Sequence, residues 1–133
     1  MEHRMLLVEH DDDISGLFRY AVKRFPDLDT VVCDSPSQAI EAFERAQAEG
    51  CPFHMVFTND RFPKGSGFTV ARLLGARVPV FVFVSDPGYI YEHNGTDLTR
   101  FGIRDLIDKL DWLQQVRELI TVITGKEMLP LNR

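Results

Sequence analysis

No apolar run in this 133-residue chain approaches the roughly 20 residues needed to cross a bilayer. The opening residues MEHR lead straight into MLLV and lack the longer apolar region and small-residue cleavage site of a secretory signal. No membrane segment is expected, and the cytoplasm is the expected compartment. Basic residues are the minority, with Lys plus Arg 15 against Asp plus Glu 20 and a formal net charge of −5. No basic cluster offsets that balance, which argues against a nucleic-acid binder that works by neutralising phosphates. Cysteine is scarce. Cys33 ends an apolar run and Cys51 follows a glycine; neither belongs to a CxxC or a metal-ligand spacing, so both read as incidental thiols. Internal repeats, linkers and low-complexity stretches are missing as well.

The hydrophobic content, 44%, suits one domain with one core. We assign it to residues 1–125, followed by a loosely held C-terminal tail over 126–133. Apolar strands alternate with helical patterns. MLLV (5–8) stops at Glu9-His10-Asp11-Asp12-Asp13, where acids suit a helix N-cap and first turn. From there Ile14, Leu17, Phe18, Ala21, Val22 and Phe25 recur at helical spacing up to Pro26. Val31-Val32-Cys33 reads as a second strand. Ser35-Pro36-Ser37-Gln38 combines a Ser N-cap, Pro at the first helical position and Gln for a capping box. Ala39, Ile40, Phe43 and Ala46 then face inward. Residues 53–58 form a third strand, 68–74 a short helix, and VPVFVFV (78–84) a strand buried on both faces. Leu106-Ile107 is a brief fifth strand. Trp112, Val116, Leu119, Ile120 and Ile123 mark the last helix, which ends at Gly125.

This alternation implies a doubly wound α/β domain, with a five-stranded parallel sheet covered on both faces. Ligand sites in such sheets lie at the carboxyl ends of the strands, near the point where strand order reverses. Glu9-His10, Asn59-Asp60, Ser85-Asp86 and Asp108-Lys109 occupy those ends. Their pattern resembles the receiver domain of two-component response regulators, a flavodoxin-like (CheY-like) fold, over nearly the whole chain. In FHMVFTNDRFPKGSG, Pro63 and Gly67 have the family spacing and point back to position 59. In GIRDLIDKL, Lys109 falls on the family lysine.

The resemblance implies a site whose chemistry has been altered. Position 59, the phosphoacceptor Asp of the family, is Asn. The magnesium-binding acidic pair has become Glu9-His10. Leu106 replaces the switch aromatic, Leu110 the proline after the lysine, and Ser85 stands for the fourth-strand hydroxyl one residue later than usual after Pro79. A receiver forms an acyl phosphate through an ionised carboxylate, and an amide cannot replace it. Magnesium favours carboxylates and sheds water reluctantly, so with Glu9 alone left of three its binding is expected to be weak or absent. Asp60 is an alternative phosphoacceptor, but as a strand neighbour of Asn59 it is expected to point away from Lys109. His10 reads as a solvated loop residue, and Lys109 as a strand-end cation expected to pair with Glu9 or Asn59. Pro87, Gly88 and Gly95 predict an irregular stretch over 86–96 in place of a regular fourth helix, with at most a short helix from about Asp97.

Three functions follow as expectations. The first is a non-enzymatic pseudo-receiver, a signalling protein that binds a protein partner such as a histidine kinase or an effector without phosphorylation and without a cofactor. The second is an active phosphorelay receiver that uses Asp60. The third, a flavin or nucleotide binder, needs an anion-binding loop after the first strand. EHDDD stands there and would repel phosphate.

Overall fold

Strands and helices alternate as the apolar pattern predicts. The computed structural model describes residues 3–129, in the order β1 (His3–Val8), α1 (Asp12–Val22), β2 (Leu28–Cys33), α2 (Pro36–Ala48), β3 (Met55–Asn59), α3 (Gly67–Leu74), β4 (Val80–Val84), α4 (Pro87–Asn94), a 3-10 turn (Thr99–Phe101), β5 (Asp105–Asp108) and α5 (Trp112–Thr124). The strands form one sheet in the order β2-β1-β3-β4-β5, and every pair is parallel.

Alternation along each strand divides the core in two. Leu6, Val8, Val56, Val80, Val82 and Leu106 face one side, where Ala39 and Phe43 of α2 and Val70 and Leu74 of α3 cover them. Met5, Leu7, Phe57, Phe81 and Ile107 face the other, against Phe18 and Val22 of α1 and Val116 and Ile120 of α5. Ile40 is only half-buried, while Ala39, Phe43 and Ala46 are buried as expected. In α1 the inward residues are Phe18, Ala21 and Val22, and Ile14 and Leu17 are exposed at 48% and 61%.

Helix starts follow the local chemistry. Asp11 caps α1 by accepting from the Asp13 and Ile14 amides. Ser35 caps α2 by accepting from the Gln38 amide, and Gln38 reaches back to the Asp34 amide, one residue beyond the N-cap amide of a standard capping box.

The region after β4 differs from expectation. Residues 87–94 form a helix, and a 3-10 turn follows at Thr99–Phe101. The helix-breaking residues sit at its ends. Asp86 accepts from the Tyr89 amide as N-cap, Pro87 and Gly88 fill the first turn, where a missing N–H costs nothing, and Gly95 closes the helix at φ +84°. The tail also differs over the part described. Leu129 donates its amide to Arg24, and Met128 packs on the α1–α5 side of the core. Residues 130–133 lie outside the described residues.

Candidate functional site

From β1 the chain steps to β2 on one side and to β3 on the other, so strand order reverses at the carboxyl ends of β1 and β3. Glu9 follows β1 and Asn59 ends β3, which places both at that crevice. Lys109 follows β5, where its amide donates to the Val84 carbonyl. The three side chains border the same cavity.

Asn59 is hydrogen-bonded at both ends of its side-chain amide. Its amide nitrogen donates to the Arg61 carbonyl at 3.0 Å, and its amide oxygen accepts from the Asp60 N–H at 3.0 Å. The backbone around it is equally fixed, because Thr58 Oγ1 and Gly67 both approach the Asn59 carbonyl. A Cβ on Gly67 would lie 1.9 Å from that oxygen, so only glycine fits. The spacing of Asn59 to Gly67 thus has a steric cause.

Asp60 overturns an expectation. Its carboxylate turns toward Lys109, with Oδ1 2.8 Å from Nζ, and the Asp60 side chain is only 12% exposed. The alternation argument fails because β3 ends at Asn59 and Asp60 already lies in the following bend, where side chains no longer alternate. The Asp60 carbonyl accepts from the Gly67 amide and Ser66 Oγ, which holds the bend. Lys109 therefore pairs neither with Glu9 nor with Asn59.

Glu9 is buried, at 6% exposure. Its Oε1 accepts from the Asp11 N–H at 3.2 Å and lies 3.7 Å from His10 Nδ1. Burial pushes the Glu9 carboxyl above its ordinary value; the Asp11 N–H, His10 and Lys109 act in the opposite direction. His10 is itself largely exposed, and its ring meets the edge of Phe62 at 5.7 Å between centroids. Ser85 is exposed beyond β4, beside a shallow depression that also holds Asp60, Ser66 and Tyr89. Val84, at the usual distance from Pro79, is buried and carries no hydroxyl. Leu106 is buried against Val82 on the α2–α3 side.

Sequence reasoning missed the aromatic grouping behind the site. Phe18 stacks on Trp112 at 5.7 Å, and Phe83 meets both rings edge-on at 6.1 and 6.3 Å. These residues come from α1, β4 and α5, so no local pattern in the sequence joins them.

No protein-family model and no curated protein matches the chain in sequence. Solved structures match it in shape. The receiver domain of a sensor histidine kinase from Pseudomonas aeruginosa, with a magnesium ion coordinated in its active-site cleft, superposes with a TM-score of 0.73 at 16% identity, over 92% of this chain and 98% of that one. The phosphorylated cyanobacterial phytochrome response regulator RcpA gives 0.76 at 15% identity, over 92% and 94%. Response regulator TrrA from Thermotoga maritima, in complex with Mg(2+)-BeF, gives 0.70 at 15% identity, over 91% and 98%.

The chain has the receiver fold.

Within this receiver fold, the strand-end groups are occupied by one another. Among the described residues, no group of three or more His, Cys, Asp or Glu side chains is arranged to hold a metal ion. Glu9 accepts from Asp11, Asp60 is taken by Lys109, and each end of the Asn59 amide makes a hydrogen bond. No helix among the described residues is long and apolar enough to cross a membrane.

Proposed function

We propose that the chain is a receiver-type signalling module that acts by binding a protein partner, without phosphorylation at position 59. The observation that carries this reading is Asn59 itself: an amide with both ends hydrogen-bonded stands at the carboxyl end of β3. Its oxygen carries no full charge and its nitrogen lone pair is delocalised, so it cannot attack phosphorus as a carboxylate does. The partner is a component of a two-component or phosphorelay pathway, a histidine kinase or an effector, met in the cytoplasm. The module is not an enzyme. The donor set does not suit magnesium, since a hard cation needs carboxylates and Glu9 is the one left at the three family positions. Incubation with acetyl phosphate and Mg²⁺ is expected to leave the intact mass unchanged. A stable phosphate adduct that survives Asp60→Ala would overturn the reading.

The Asp60–Lys109 pair favours a second reading, phosphorylation at Asp60. A carboxylate oxygen of Asp60 would attack the phosphorus of acetyl phosphate, the bond from phosphorus to the acetate oxygen would break, and acetate would leave with the electron pair. Lys109, 2.8 Å away, would neutralise part of the incoming charge. An adduct lost on Asp60→Ala would establish this reading in place of the first.

A further inference from the structure

Beneath the strand ends, on the face covered by α1 and α5, lies a cavity of about 180 Å³. An apolar cavity of about 150 Å³ is known to take up benzene, so this one has room for a ring and a short side chain. Its inner wall is aromatic, formed by Phe18, Phe83 and Trp112. Leu7 closes the floor, and Leu17 forms part of the rim on α1. Such a wall suits an apolar body, and its ring faces also attract a cation.

The polar groups at one end decide which charge the occupant carries. Asn59 brings no charge to the cavity: it is a neutral amide that already donates to the Arg61 carbonyl and accepts from the Asp60 N–H. The Lys109 charge is met by Asp60 at 2.8 Å. Glu9 is left as the charge with the weakest compensation: one backbone N–H, a largely exposed His10 at 3.7 Å, and the field of Lys109, whose Nζ is hydrogen-bonded to Asp60 instead. Its desolvation is the cost that an incoming ammonium would relieve. An anion would meet the Glu9 carboxylate.

We infer that this cavity binds a small apolar amine, with one ring against Phe18, Phe83 and Trp112 and its ammonium on the Glu9 carboxylate. The site is the cavity at the strand ends already described, and the inference does not depend on the protein-partner reading.

Trp112 is the only tryptophan of the chain, so its fluorescence reports occupancy directly. The probes are 2-phenylethylamine, its neutral analogue 2-phenylethanol and the anion 3-phenylpropionate, each titrated into the full chain. The amine is expected to give a saturable change with half-saturation at about 1 mM or below. The alcohol should bind at least about tenfold more weakly, because it lacks the charged hydrogen bond, and the anion should give no response. Glu9→Gln should erase the difference between amine and alcohol while the alcohol still binds. In the unsubstituted protein, NMR shifts should centre on the Trp112 indole N–H and the Glu9 and Asn59 amides, a readout that holds even if the variant folds poorly. The proposal is overturned by no saturable response to the amine up to about 10 mM, by equal binding of amine and alcohol, by an amine preference that survives Glu9→Gln, or by shifts centred elsewhere.

Discussion

Lys109 neutralises Asp60, and Glu9 is left to meet its burial with one amide and His10. The first consequence is mutational. Lys109→Met leaves the Asp60 carboxylate, 12% exposed, with the exposed Arg61 guanidinium at 4.0 Å in place of its 2.8 Å partner. Denaturant unfolding should register a loss of about 1–3 kcal/mol, and Asp60→Asn in the same background should recover most of it. A loss below about 0.3 kcal/mol would mean that water screens the pair. The second consequence concerns pH. The Glu9 carboxyl sits above its ordinary value of 4.5, chiefly because burial penalises the charged form. A group raised on folding adds stability below its unfolded pKa and loses that contribution as pH rises through its folded value. Glu9→Gln removes the loss, so its melting temperature should exceed the native one at pH 7, by roughly 2–5 °C. That advantage should shrink as pH falls toward 4.5. A gap that stays constant with pH would assign the effect to packing.

At the scale of elements, legibility depended on whether a residue's meaning is local. The Ser35 cap and the Gly125 stop act within one turn of chain, and both α2 and α5 lie where those residues put them. The stretch after β4 departs from the expectation because the same glycines and proline signify different things at the ends of a helix and in its interior. Asp86 supplied the missing signal, as an acid directly before proline is an N-cap followed by a favoured first residue. Two substitutions test this account of α4. Gly88 lies inside the first turn, and an added Cβ would meet only Asp86 Oδ1 at 3.5 Å. Gly88→Ala should therefore stabilise the protein by about 0.5–1 kcal/mol and slow amide exchange in residues 90–94. Gly95 holds φ +84°, a conformation that alanine resists, so Gly95→Ala should cost about 1 kcal/mol. Equal effects of the two substitutions would contradict the end-capping account.

For the whole molecule, the fold was legible because burial on both faces leaves its mark on nearly every strand residue, and the spacing from Asn59 to Pro63 and Gly67 pointed to the receiver fold. The pairing inside the site was not. Which acid meets Lys109 depends on how the chain bends after β3, and strand alternation is silent beyond the last strand residue. This difference leads to a test of whether the scaffold or only the side chains set the site apart. Asn59→Asp together with His10→Asp returns carboxylates to two strand ends beside Glu9, and carries the formal net charge from −5 to about −7. Without a cation the double variant should be less stable than the native chain, because three acids then share one crevice. Adding about 10 mM Mg²⁺ should raise its melting temperature in proportion to binding of the folded state, and EDTA should reverse the rise. The native protein should show no such change under the same conditions. A variant that folds, melts lower and still ignores Mg²⁺ would mean that the Asp60–Lys109 pair and the bend behind it have moved the backbone away from cation-binding geometry. Adding Asp60→Asn to that variant would separate the two causes: recovered Mg²⁺ binding would implicate the ion pair, and continued indifference would implicate the backbone.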